Sequence, residues 1–257
     1  MLTPGQLEQF REEGYVVLGQ IVSDEEIEAL RQRADDIVMG RVRHEGMWFQ
    51  LDAGGMEYKL LPGGEFQGAS QEYRKIEGWE RDPLFLRYMQ HPVFRAWTRA
   101  LIGENVSIFR AMFMNKPAHK GTVLPYHQDG GTQWKLTSCD GDKFLTVWTA
   151  LDDATRENGC VQLIPGSHKL GLLSERGHTI TEEQERLYCP EEKSRYIELK
   201  AGEVFVMHNF VLHRSGVNPT DKPRRGFSVC YMDAAIRRVD DPDHRFPVIF
   251  GEGALTA

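Results

Sequence analysis

Apolar positions in the first hundred residues recur at helical spacing, and beyond residue 105 they come in short runs parted by turn residues. Thr3 can cap a short helix over PGQLEQFREEG, with Pro4 at its first position and Gly14 at its end. YVVL follows as a short strand. Ser23 opens SDEEIEALRQRADDIVMG, where acids crowd the first turn and Ile27, Leu30, Ala34, Ile37 and Val38 share one face. A third helical pattern covers DPLFLRYMQHPVFRAWTRALIG, and Pro92 after His91 divides it in two.

Residues 41 to 78 show no clear period and are rich in glycine and aromatics. A segment this long inside a compact domain is usually functional or disordered, and it reads as a cover over a pocket. The pairs Gly54-Gly55 and Gly63-Gly64 offer hinge-like freedom, so this is the expected mobile part of the chain. From Val106 the runs VSIFRAMFMN, TVLPYH, FLTVWTAL, GCVQLIP, YIELKAG, EVFVMHN, VLHRSG and RGFSVCYMD read as about eight strands. Such spacing predicts a mainly β fold with added helices: a double-stranded β-helix, the jelly roll of cupin-like proteins. Residues 1–257 then form one domain, with 1–105 as helical support and cover and 106–235 as the β core.

Composition narrows the function without naming it. A chain of 257 residues, 40% hydrophobic and 27% charged, is ordinary for a soluble globular protein. Its net charge of −7 and isoelectric point near 5.8 argue against nucleic acid or an anionic membrane as partner. No basic, then apolar, leader opens the chain, and no run of about 20 apolar residues occurs, so a cytoplasmic location is expected. Cys139, Cys160, Cys189 and Cys230 lie far apart with no C-x-x-C pair, which gives neither a zinc framework nor a disulfide framework. No oligomeric state is implied.

The candidate chemistry starts at LPYHQDGG, residues 124 to 131. Residues i and i+2 on a strand share a face, so His127 and Asp129 could both reach one metal ion. Two histidines and one carboxylate form the facial set of non-haem iron(II) oxygenases. The second histidine must come from a later strand, from among His168, His178, His208, His213 and His244. His213 stands out, because Arg224 lies downstream of it and opens another strand. A guanidinium fork there could bind the distal carboxylate of a co-substrate such as 2-oxoglutarate. His208 is the rival ligand.

With MFMNKP, YHQDGG, TVWTALDDATRENGCVQLIPGSHK and HRSGVNPTDKPRR in place, the sequence resembles the phytanoyl-CoA dioxygenase family of Fe(II)/2-oxoglutarate oxygenases. The likeness implies an enzyme, a 2-oxoglutarate-dependent dioxygenase, with Fe(II) as cofactor and 2-oxoglutarate and O2 as co-substrates. It places the iron ligands at His127, Asp129 and His213, and the co-substrate arginine at Arg224, with adjacent Arg225 as the alternative. Further co-substrate contacts fall on Lys75, Met112, Gln128, Trp148 and Ser215, although Met112 and Trp148 also suit plain core packing. His168 falls to a supporting role. Halogenating relatives lack the carboxylate ligand; Asp129 is present here, which favours hydroxylation-type chemistry.

The substrate is read from the cover. An acyl-CoA needs basic groups for its phosphates, and the cover shows no strong basic cluster, so a small metabolite or natural-product intermediate is expected. Trp48, Gln50 and Tyr58 in the cover, and Trp134 after the His-x-Asp turn, are the candidate substrate-binding residues. The chain is similar to antibiotic-tailoring members of the family that close orthoester rings on oligosaccharides. A sugar-containing substrate and hydroxylation or oxidative ring closure are implied by that likeness. The alternatives are a non-catalytic jelly-roll binding protein and a cupin-like metal-dependent hydrolase or isomerase.

Overall fold

The computed structural model describes residues 2–55, 57–174 and 178–257. Helix α1 spans Pro4–Glu13, with Thr3 and Gln6 forming a capping box and Gly14 closing it in the left-handed conformation at φ 79°. Strand β1 (Tyr15–Gln20) leads to helix α2 (Asp24–Val38), capped by Ser23, which buries the five apolar residues its periodicity selects. Helices α3 (Pro83–Met89) and α4 (Pro92–Leu101) are separate, as the proline requires, and each has Pro at its start.

Residues 41 to 78 are more regular than their sequence suggests. They contain β2 (Trp48–Leu51), the two-residue β3 (Gly63–Gly64) and β4 (Tyr73–Glu77). Gly63 is therefore a paired strand residue, and any side chain there would collide with the indole of Trp48. The cover is in good part an extension of a sheet. The β core continues as β5 (Val106–Lys116), β6 (Leu124–His127), β7 (Phe144–Ala150) and β8 (Val161–Leu163). After a short helix, α5 (Glu182–Tyr188), come β9 (Arg195–Ile197), β10 (Glu203–Met207), β11 (His213–Ser215), β12 (Arg224–Asp233) and β13 (Val248–Phe250).

Two antiparallel sheets result. The larger has the order β1-β10-β7-β12-β5-β4-β2-β3, with β13 also on β5, and the smaller runs β6-β11-β8-β9. This is the expected jelly roll. Period-2 alternation divides the large sheet between two tasks. Ala111, Phe113, Val147, Phe227, Val229 and Tyr231 face the helices and join Ile27, Leu30, Phe94 and Trp97 in the main core. On the other face, Arg110, Met112, Met114, Trp148, Arg224 and Ser228 line a cleft between the sheets. The helices thus hold the large sheet from behind while its front carries the chemistry.

Candidate metal centre

β6 ends at His127, Gln128 continues extended, and a tight turn begins at Asp129, so His127 and Asp129 emerge on the same side. The third residue arrives by sheet register: His213 on β11 is the cross-strand partner of His127. Ligand atoms of His127, Asp129 and His213 lie within 4.8 Å of one another, and all three residues are buried. Among the described residues no other cluster of this kind occurs.

Both imidazoles are oriented by their own strands. Nδ1 of His127 is 2.8 Å from the Pro125 carbonyl, and Nδ1 of His213 is 2.9 Å from the Val211 carbonyl. A carbonyl only accepts, so each Nδ1 carries the proton and Nε2 is left for a metal. Burial, then neighbouring His178 and His213, hold the pKa of His127 well below the usual histidine value, which keeps its lone pair available. Burial works against charge on Asp129, but contact with His178 and the guanidinium of Arg110 outweigh it and hold the carboxyl well below its usual range. Arg110 Nη2 donates to Asp129 Oδ1 at 3.0 Å, and the Thr146 hydroxyl lies 3.2 Å from Oδ2.

The turn is locked from outside. Gln128 donates to the carbonyls of Gly171 and Phe210 at 2.9 and 2.7 Å and accepts from the Leu173 N–H at 2.7 Å. Gly130 sits where a Cβ would come within 2.6 Å of the Phe210 ring. Gln128 therefore clamps the backbone beside the ligands, and its side chain is not part of the cleft wall.

The triad opens onto the cleft between the two sheets. Arg224 stands in it, 2% exposed. Its Nη2 donates to the Gly159 carbonyl at 2.9 Å, its charge lies 5.6 Å from the Trp148 ring, and its buried Nε has no partner. Burial lowers its pKa to about 10, outweighing the opposing effects of Cys160 and Asp152. Gly226 makes room for the Trp148 indole, with which any side chain there would collide.

Of the other residues singled out by the sequence, Lys75, Met112, Trp148, Ser215 and Tyr58 line the cleft. Trp48 lines a separate groove with Glu77 and Pro247, Gln50 is buried behind the wall, and Trp134 is half-exposed against Lys135. His208 packs between Phe10 and Phe210 beyond the cleft, and His168 reaches the Arg11 carbonyl at 3.1 Å. Arg74 and Arg110, which carry no sequence signal, also join the site, as does His178, one of the histidines weighed as a ligand. The His178 ring lies 3.9 Å from that of His127, its Nε2 is 3.8 Å from Asp129, and its Nδ1 meets the Tyr58 hydroxyl at 3.0 Å. Burial lowers the pKa of His178 to about 4, so the ring is neutral.

Two imidazoles, one carboxylate and no thiolate make a facial donor set that suits Fe(II). A buried guanidinium in the same cleft, its Nε without a partner, suits a carboxylate co-substrate. Fold and donor set together define a mononuclear non-haem metalloenzyme. The chain belongs to the phytanoyl-CoA dioxygenase family, whose sequence profile matches residues 10–226. It is thus a dioxygenase of the iron- and 2-oxoglutarate-dependent kind.

Its relatives include a phytanoyl-CoA dioxygenase of Arabidopsis thaliana, 28% identical over 263 residues that cover 91% of this chain and 89% of the other. The peroxisomal phytanoyl-CoA dioxygenase of Homo sapiens is 24% identical over 255 residues, covering 93% and 71%. In fold, the chain is similar to iron-bound EctD from S. alaskensis, with TM-score 0.74, 22% identity and coverage of 92% and 79%. The epimerase SnoN of nogalamycin biosynthesis matches with TM-score 0.70, 21% identity and coverage of 95% and 97%. Among the described residues no helix is long and apolar enough to cross a membrane.

Proposed function

We propose that His127, Asp129 and His213 hold Fe(II), that Arg224 and Ser215 receive the distal carboxylate of 2-oxoglutarate, and that the enzyme oxidises a C–H bond of a small molecule. One observation carries this reading: a buried guanidinium with no ion-pair partner among the described residues faces the same cleft as the His-Asp-His cluster. When bound, iron with O2 couples oxidative decarboxylation of 2-oxoglutarate to succinate and CO2 with insertion of the second oxygen atom into a C–H bond.

The residues of the chain contribute position, charge and dryness. The Pro125 and Val211 carbonyls fix both imidazole orientations, while Arg110 and Thr146 hold the Asp129 carboxylate. Trp148 and Met112 supply apolar wall against which a bound co-substrate excludes water. Tyr58, bonded to His178 and Thr179, ties the cover segment to the far wall of the cleft.

The outcome favoured is hydroxylation, because Asp129 occupies the carboxylate position. Oxidative ring closure is kept as a finer reading, supported by likeness in fold to SnoK, described as a carbocyclase of nogalamycin biosynthesis. A role in natural-product biosynthesis and a sugar-containing substrate belong to the same reading. Of the binding residues foreseen in the cover, Tyr58 has the best claim to touch substrate, since it lines the cleft. The test is anaerobic loading with Fe(II) and 2-oxoglutarate, followed by O2. Succinate should form in the wild type and not in His213→Ala; equal succinate in both would sink the proposal.

A further inference from the structure

The cleft holds more positive charge than a dicarboxylate co-substrate needs. Besides Arg224, four cationic side chains line it, Arg74, Lys75, Arg110 and Arg214, and Asp129 is the carboxylate among the lining residues. Three of the four are already paired. Lys75 meets Glu77 at 2.5 Å, Arg110 meets Asp129 at 3.0 Å and Arg214 meets Glu191 at 3.0 Å.

Arg74 has no such partner among the described residues. Its Nη1 donates to the neutral Gln50 side chain, and its guanidinium lies 5.8 Å from the centre of the Tyr58 ring. Asp52, whose charge it feels, is engaged elsewhere: Oδ1 accepts from the Gly54 N–H, and Oδ2 faces the Thr122 N–H and hydroxyl. A cation desolvated against an amide and a phenol ring is incomplete without an anion.

The backbone explains its aim. In the pairing of β2 with β4, Gln50 opposes Lys75 and Leu51 opposes Tyr73, which leaves Arg74 as an extra residue. A β-bulge of this kind breaks the two-residue alternation and re-aims a side chain. Arg74 and Lys75, neighbours in sequence, consequently both line the cleft.

We infer that Arg74 is a specificity-determining residue that receives a carboxylate of the molecule being oxidised. The inference rests on the reading of the cleft given above, in which Arg224 serves 2-oxoglutarate. The two guanidiniums stand on different strands of the large sheet, Arg224 on β12 near the Trp148 ring and Arg74 on β4 near the Tyr58 ring, and both reach the recess beside Ser215. Substrate and co-substrate each then bring one carboxylate to its own arginine.

The experiment measures dissociation constants by calorimetry on protein holding Mn(II) and 2-oxoglutarate, with cyclohexanecarboxylate and its primary amide as matched probes. Wild type should prefer the carboxylate by about tenfold or more, the worth of one charge-assisted contact. Arg74→Gln should abolish that preference, and Arg74→Lys should restore part of it. No preference in wild type, or a preference that survives Arg74→Gln, would overturn the inference. So would a loss of 2-oxoglutarate affinity in Arg74→Gln equal to that in Arg224→Gln, because Arg74 would then serve the co-substrate. A 2-oxoglutarate affinity untouched by Arg224→Gln would overturn instead the reading of the cleft on which the inference stands.

Discussion

Arg224 and Arg225 are adjacent on β12, yet their guanidiniums have opposite environments. Arg225 donates to both carboxylate oxygens of Asp152, at 2.7 and 2.8 Å, and to Asp35 at 2.6 Å. Arg224 meets one carbonyl and, among the described residues, forms no ion pair with an acid. The sequence favours Arg224 with Arg225 as the alternative; the pleat of the strand makes Arg225 an anchor for α2 and leaves Arg224 for a ligand.

Their substitutions should therefore separate function from stability. Arg224→Leu should raise the KM for 2-oxoglutarate by about ten- to a hundredfold, from loss of one or more charge-assisted contacts. Its Tm should not fall, since an uncompensated buried charge is removed. Arg225→Leu should keep the KM within a few-fold and lower stability, since Asp152 and Asp35 lose the guanidinium that joins them. Steady-state kinetics and urea unfolding check both; the reverse pattern would reassign the pair.

Asp129, the proposed carboxylate ligand, also neutralises Arg110, so its loss should have two effects. Asp129→Ala and His213→Ala should both abolish stoichiometric metal in elemental analysis. With chelator present, Asp129→Ala should be the less stable, by about 3–5 kcal/mol, because Arg110 is left buried and unpaired. Adding Arg110→Met to Asp129→Ala should recover most of that stability and none of the metal. Equal stability of the two single variants would contradict the pairing.

Gly226 is required for space. A methyl there would drive Trp148, the aromatic neighbour of Arg224, from its seat. Gly226→Ala should cost about 1–3 kcal/mol through overpacking. The 2-oxoglutarate affinity should fall along with it, and a change in tryptophan fluorescence should report the displacement. Unchanged affinity would place Trp148 outside the co-substrate wall.

Acid should weaken the fold through His208. Burial, then the neighbouring His168, lowers its pKa to about 4, with Asp142 opposing the shift. Between about pH 6.5 and 4 the unfolded chain binds a proton there that the folded chain does not, so stability is lost as pH falls through this window. Above about 6.5 both states are neutral at this site and its contribution is constant. Chemical denaturation of His208→Gln across the window should give a shallower slope than wild type; an identical slope would remove His208 as a cause.

Much of this architecture is written in local periodicity. Capping residues and apolar spacing locate α1 to α4, and the eight runs after Val106 correspond to strands β5 to β12 because each buries at least one face. The His-x-Asp pair is visible because i and i+2 on a strand is a local relation. His213 is suggested only by the downstream Arg224, since its approach to His127 depends on register between remote strands.

Other features have no local signature. Arg74 reaches the cleft through a bulge that one extra residue creates, and no residue type marks that position. Arg110 looks like any polar residue in an alternating strand, and His178 arrives on a loop. Whole-chain acidity also misleads about the site, because the acids lie mostly outside while five cations converge within. Trp134, expected near substrate, lies half-exposed against Lys135 and outside the lining of the cleft.

The pairing of His127 with His213 has a mechanical consequence. An ion gripping both would act as a rivet through β6 and β11, closing a long chain loop that the unfolded protein must leave open. The small sheet would then draw part of its cohesion from solution: at a hundred times the dissociation constant, free metal adds about 2.7 kcal/mol. The large sheet, seated on its helices, has no such dependence. Metal supply would thus set how firmly the front wall of the jelly roll stays shut, while the back wall stands whether or not the ion is there.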